Sequence, residues 1–146
     1  MTQAVVTHAE SPVSASPSRS RHRLGIGISA APVAFLLFDV AIKLVKIPPV
    51  VESFERLGYL PDVARGIGTL EAACLLLYLV PRTSVLGAVA LTGFLGGAIA
   101  THVRVGDPLF SHVLFPVYVA ALLWIGLALR DGRLAVFSPF TGARGR

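Results

Sequence analysis

The sequence predicts an all-α membrane protein, a bundle of four transmembrane helices running up and down, with a short amphipathic helix between the first and second. Three observations predict it. Hydrophobic residues make up 54% of the 146 and charged residues only 14%, with a mean hydropathy of +0.73. A soluble domain this small has too high a surface-to-volume ratio to hide so much apolar surface. Four apolar stretches then follow one another, each near the ~20 helical residues that cross a hydrocarbon core of about 30 Å. Finally, the links between most of them are short and rich in turn residues. Helices joined by such links run antiparallel, and helices are the only open-chain way to satisfy backbone groups in lipid.

Residues 1–23 are polar, with serines and prolines and a closing Arg19, Arg21, His22, Arg23 cluster. They read as a disordered tail ending in a cytoplasmic anchor. A cleaved signal peptide is the rival reading, but its apolar core would start late, at Leu24, and run too far past the small residues Ser29 to Ala31. The transmembrane domain is expected over 24–131, and residues 132–146 form a cytoplasmic C-terminal tail.

The first span is expected from Leu24 to Val45 and is the weakest, since it contains Asp39 and Lys43. Pro48-Pro49 then breaks the helix. Val50, Val51, Phe54 and Leu57 recur at helical spacing opposite Glu52, Glu55 and Arg56, and Gly58 can end the segment. This is an amphipathic helix lying at the membrane surface, or alternatively a lid on the bundle mouth. The second span is expected from Asp62 to Val80. Pro81-Arg82-Thr83-Ser84 is a tight turn offering Thr83 or Ser84 as N-cap of the third span, Ser84 to Val103. That span is the cleanest, with no ionisable side chain from Val85 to Thr101. Gly106-Asp107-Pro108 is the next turn, with Asp107 as N-cap and Pro108 at the first position of the fourth span, Pro108 to Leu129.

Orientation follows from Lys and Arg. With the N-terminus inside, Arg19, Arg21, Arg23, Arg82, Arg130, Arg133, Arg144 and Arg146 are cytoplasmic, against Lys46, Arg56, Arg65 and Arg104 outside. The positive-inside bias therefore puts both termini in the cytoplasm of a multi-pass inner (plasma) membrane protein. The net charge of +5 does not point to nucleic acid, because the basic residues lie at span ends and in tails without interleaved aromatics. Cys74, the one cysteine, excludes an intrachain disulfide and any exchange between two thiols of one chain.

Ionisable groups within spans are costly and are candidate sites by default. Asp39 and Lys43, four residues apart, share one helix face and can pair along it. At 1.5 Å per residue Asp39 lies about 9 Å, Glu71 about 13 Å and His112 about 6 Å inside the outer ends of their spans. Lys43 and His102 lie near the rim, and Arg104 in the short link. The inner halves lack ionisable groups, which predicts a polar pocket of Asp39, Lys43, Glu71, His102, Arg104 and His112 open to the outer face rather than a channel. Each has a plainer reading. Asp39 with Lys43 can be a neutralised structural pair, or Lys43 can snorkel outward. His102, Arg104 and His112 can be satisfied by water and headgroups. Glu71 has no basic residue within a turn, so it is either protonated or meets Lys43 or His102 from another helix. Two histidines ten residues apart do not make a metal motif, and no metal is expected. Gly93 with Gly97, and Gly96 with Ala100, are small-xxx-small pairs that let another helix approach, within the bundle or between protomers. Trp124 and Tyr118 read as packing or lipid-facing residues.

Three stretches carry a family resemblance: Pro81 to Gly87, Thr92 to Arg104 and Gly106 to His112. Together with Phe38 to Lys43, Glu52 to Tyr59 and Glu71, they strongly resemble the DoxX-like family of small bacterial membrane proteins, over about Leu36 to Asp131. The family often has proline directly after Gly-Tyr, whereas here Leu60 follows Tyr59. The resemblance implies a four-helix membrane bundle. The family name comes from a subunit of a thiosulfate:quinone oxidoreductase, and relatives are linked to thiol and redox homeostasis, but the DoxX-like branch brings no agreed activity or catalytic residues. Two functions follow as expectations. The first is an accessory subunit of a redox or quinone-linked membrane system, or a homo-oligomer through Gly93 and Gly97, without a resident cofactor. The second is a binder, carrier or enzyme for a small lipophilic ligand such as a quinone in the outer-leaflet pocket, where Glu71 or a histidine exchanges protons with it. A proton or ion channel is disfavoured by the apolar inner halves.

Overall fold

The computed structural model describes residues 19–132 and 134. Among them every regular element is helical: α1 (Arg19–Val45), α2 (Pro48–Arg56), α3 (Val63–Leu79), α4 (Ser84–Arg104), a π-helical turn (Leu109–Val113) and α5 (Phe115–Arg130). Residues 1–18, most of the C-terminal tail and Arg133, Arg144 and Arg146 lie outside the described residues, so the expected tails are described only at Arg19–Arg23, Gly132 and Leu134.

Among the described residues three helices are long and apolar enough to cross a membrane: α1, α4 and the π turn continued by α5 (Leu109–Arg130). The second expected span differs. Its helix is 17 residues, Val63–Leu79, about 25 Å long and so shorter than a typical hydrocarbon core. The first helix also begins earlier than expected. Arg19–Arg23, read from sequence as the end of a disordered tail, form its first turns, since once an apolar helix is nucleated each added residue gains a backbone hydrogen bond.

Four of the helices surround one core, α1 and α4 each lying against both α3 and α5. The contacts fix the directions. Gly25 near the start of α1 meets Gly126 near the end of α5, Lys43 near the end of α1 meets Gly68 near the start of α3, and Gly87 at the start of α4 meets Tyr78 at the end of α3. Neighbours are thus antiparallel, as short links require. The core is filled by Leu36, Leu75, Tyr78, Leu91, Leu123 and Leu127, all 1% exposed or less. Leu37, Phe38, Leu70, Leu76, Leu86 and Val89 project outward and are more than half exposed, the surface expected of helices bathed in lipid.

Close approach uses glycines other than the expected ones. A Cβ on Gly87 would lie 2.1 Å from the Tyr78 backbone nitrogen, and one on Gly126 2.1 Å from Ser29 Oγ. By contrast, nothing lies within 4 Å of a Cβ added to Gly93, Gly96 or Gly97. The GxxxG stripe meets open space, so within the chain it makes no close helix crossing. Tyr78 completes this end of the bundle, its hydroxyl donating to Leu123 O at 2.8 Å and lying 3.0 Å from Ser29 Oγ. Arg130 stacks 4.6 Å over its ring.

The turns depart from the expected caps for a common reason: the polar side chains find other partners. Thr83 holds the N-cap position of α4, but its Oγ1 donates back to Leu77 O at 2.8 Å and Ser84 Oγ donates to Pro81 O at 3.2 Å, so neither hydroxyl caps the helix. Asp107 caps nothing either, because an arginine and a histidine claim its carboxylate. Pro108 is extended (φ −57°, ψ 131°) rather than the first helical residue. Lys46, at φ +59°, takes the left-handed turn that ends α1, and Gly58, at φ +75°, ends the segment after α2 as expected.

Candidate functional site

The amphipathic reading of residues 47–61 holds. α2 buries Val50 and Phe54 against Ala64, with Ile42, Ile47, Tyr59 and Ile67 around them. It therefore lies over the pole of the bundle where α1 ends and α3 begins. Two polar clasps hold it there. Arg56 Nη1 donates to Asp107 Oδ1 at 2.6 Å, and His102 Nδ1 lies 2.6 Å from Asp107 Oδ2. The guanidinium beside Asp107, and then His102, hold its carboxyl down at about 2, while the carboxylate raises Arg56. In the second clasp Arg104 donates to Leu57 O and lies 5.9 Å from the Tyr59 ring, whose hydroxyl is 2.9 Å from Thr101 Oγ1. Outside the spans, Lys46 Nζ donates to Asp62 at 2.5 Å and lowers its pKa.

Beneath α2 three ionisable residues converge, Asp39 and Lys43 of α1 and Glu71 of α3. Lys43 donates to Asp39 one turn earlier on α1 and to Glu71 Oε2 of α3 at 2.7 Å. Glu71 is fully buried. Gly68 makes the approach: its missing side chain admits the Lys43 Cβ, 2.9 Å from where a Cβ would stand. The open question of Glu71's partner is thus answered by Lys43 and not by His102. Its other oxygen, Oε1, is buried with no hydrogen-bond partner among the described residues.

These side chains line a cavity of about 930 Å³ that reaches from α2 down between α1, α3, α4 and α5. Of the six residues expected to share a pocket, Asp39, Lys43, Glu71, His102 and His112 line it. Arg104 does not; its guanidinium is drawn to the α2 end. The two histidine rings meet edge to face at 5.6 Å, and His112 Nδ1 is 2.9 Å from Ser111 Oγ. The remaining lining is largely apolar and aromatic, including Phe35, Phe54, Phe94 and Phe115. Gly93 and Gly97 form part of one wall, where their lack of side chains widens the space. Cys74, buried, also reaches it. Among the described residues no three His, Cys, Asp or Glu side chains are grouped to hold a metal ion.

Sequence reasoning missed Arg56, Asp107, Tyr59 and Thr101. Asp107 carried a signal, an acid between His102, Arg104 and His112, but its local position as a turn residue explained it more simply. Arg56 carried none, because its partner is 51 residues away. Trp124, read as a packing residue, donates through Nε1 to Thr92 Oγ1 at 2.9 Å, while Tyr118 is exposed.

Comparison with known proteins adds one match. The model of a family described as the DoxX-like family matches residues 28–126. No curated protein and no solved structure matches the chain.

Proposed function

The chain belongs to the DoxX-like family and is a multi-pass integral membrane protein, and from that premise we propose that it binds a small lipophilic molecule in the cavity beneath α2. The observation that carries this reading is Glu71. A fully buried carboxylate in an apolar helix is costly, yet here it is paired with Lys43 in the wall of a cavity of about 930 Å³. That volume lies within the range of small-molecule sites, which are mostly apolar with a few convergent polar groups.

In this reading α3 also crosses the membrane, as the second of four spans, its short helix accommodated by tilt of its neighbours or local thinning of the bilayer. The termini are cytoplasmic in the inner (plasma) membrane, and the cavity opens from the extracytoplasmic leaflet. The polar groups gather at one pole and the opposite end closes on Tyr78, which supports a pocket over a channel. A quinone is one candidate ligand. Native mass spectrometry of protein released from its own membrane in mild detergent tests the proposal. A co-purifying lipophilic molecule is expected on the wild type and reduced on Glu71→Gln. Retention of that molecule undiminished on the variant refutes the assigned site.

One observation favours a second reading, an accessory subunit of a redox or quinone-linked assembly, or a homo-oligomer. Gly93, Gly96 and Gly97 are exposed on α4 and engage no other helix of the chain, and such stripes suit helix–helix contact in lipid. A pulldown from native membranes that recovers only the chain in monomeric form counts against it.

A further inference from the structure

We infer that the cavity beneath α2 is a site for a protonated lipophilic amine, its N–H group donating to Glu71 Oε1. The inference rests on the cavity being a ligand site and names the chemistry it selects. Three observations carry it.

The first is a charge count. Asp39 and Glu71 contribute two carboxylates to the cluster and Lys43 one ammonium, so the group as ionised carries one uncompensated negative charge. The surrounding basic groups are engaged elsewhere: Arg56 and His102 are clasped to Asp107, Lys46 is paired with Asp62, His112 lies against Ser111 Oγ, and Arg104 is turned to Leu57 O outside the cavity lining. Within an apolar wall such a charge is far less screened than in water, and a cation is the ligand that offsets it.

The second is the unpartnered Oε1 of a wholly buried Glu71. A buried acceptor without a donor loses its hydration and gains nothing in return. An oxidised quinone presents carbonyl acceptors and leaves this oxygen as it was. A quaternary ammonium brings charge but no proton. A protonated amine brings both, and a charge-assisted N–H to carboxylate bond is among the stronger kinds. The third is the aromatic lining. Phe94 already stands 5.4 Å from the Lys43 ammonium, and Phe35, Phe54 and Phe115 offer further ring surface, which attracts organic cations as well as alkyl chains.

Three probes of one chain length separate these elements: octylamine, octyltrimethylammonium and octanol, each titrated against the full chain in lipid nanodiscs by equilibrium binding of radiolabel. Octylamine is expected to bind at least about tenfold tighter than either of the others, the advantage of one charged hydrogen bond. Glu71→Gln is expected to bring the three affinities together, and Asp39→Asn to reduce the octylamine advantage while Glu71 remains in place. Equal binding of octylamine and octanol to the wild type overturns the inference and leaves the lipophilic site standing, and no variant is needed to see it. Tighter binding of octyltrimethylammonium also overturns it. Binding of none of the three overturns the inference, and failure of a radiolabelled short-chain quinone to bind as well removes the underlying ligand-site reading.

Discussion

Glu71 and Lys43 depend on each other across two helices. The carboxylate of Glu71 is enclosed, and Lys43 reaches it from α1 at 2.7 Å. Removing one member of a buried pair strands the other, which is strongly destabilising, whereas replacing both by apolar groups can be close to neutral. Lys43→Met should therefore cost on the order of 3–5 kcal/mol. Lys43→Met combined with Glu71→Leu and Asp39→Leu, which removes both carboxylates that Lys43 serves, should recover most of that loss, read as thermal stability in detergent. A single variant as stable as the wild type would mean that the pair is not formed. The pairing was legible only as a set of alternatives. Spacing placed Asp39 and Lys43 on one face, but nothing local to Glu71 names a partner 28 residues away.

At the level of elements, small residues divide into two groups that sequence treats alike. Gly87 and Gly126 hold helix crossings where a methyl group has no room, while Gly93 faces open space. Gly87→Ala should lower stability by about 1–3 kcal/mol or more, because the obstructing atoms are backbone and cannot swing aside. Gly93→Ala should be neutral or stabilising by up to about 1 kcal/mol from helix propensity alone. Chemical or thermal unfolding of the two variants side by side tests the contrast. The motif GxxxG was visible in the sequence, but which face it occupies was not, since α4 is apolar nearly all round.

α2 is held by charge as well as by Val50 and Phe54, and this has a pH consequence. Asp107 has its pKa lowered from 3.8 to about 2 in the folded chain. A depressed carboxylate stabilises where it is ionised in both states, so its contribution is present above about 3.8 and is lost as the pH falls toward 2. Hydrogen exchange in the Phe54–Tyr59 segment should stay as protected at pH 5 as at pH 7. Asp107→Asn should loosen the same segment at pH 7, with α4 unaffected. Loosening of the wild type between pH 7 and 5 would show that the clasp is not what holds α2.

For the whole molecule, orientation is the decisive quantity, because the proposed site takes its ligand from the extracytoplasmic leaflet. Cys74 is buried and is expected to stay unlabelled by membrane-impermeant maleimide in the native protein, so added cysteines report alone. Glu52→Cys should label from the extracytoplasmic side in intact cells, and Arg82→Cys only after permeabilisation. The reverse pattern inverts the proposed topology. Labelling of both from the same side means that the 17-residue α3 does not cross.

From sequence alone came the solvent, the helical class, the order of the elements and the amphipathic α2, because these depend on composition, period and turn residues, all properties of short windows. The cluster around Lys43 was legible as depth along two helices, since rise per residue converts position into height. Rotation about each helix axis was not, because an apolar span carries little periodicity to say which side faces a neighbour. Packing decided that: Gly68 let α1 close on α3, which joined Lys43 to Glu71, and Asp107 drew Arg56 and His102 together over the cavity mouth. Contacts between residues tens of positions apart arise only when several helices settle jointly against one core, and no single stretch of chain contains that information.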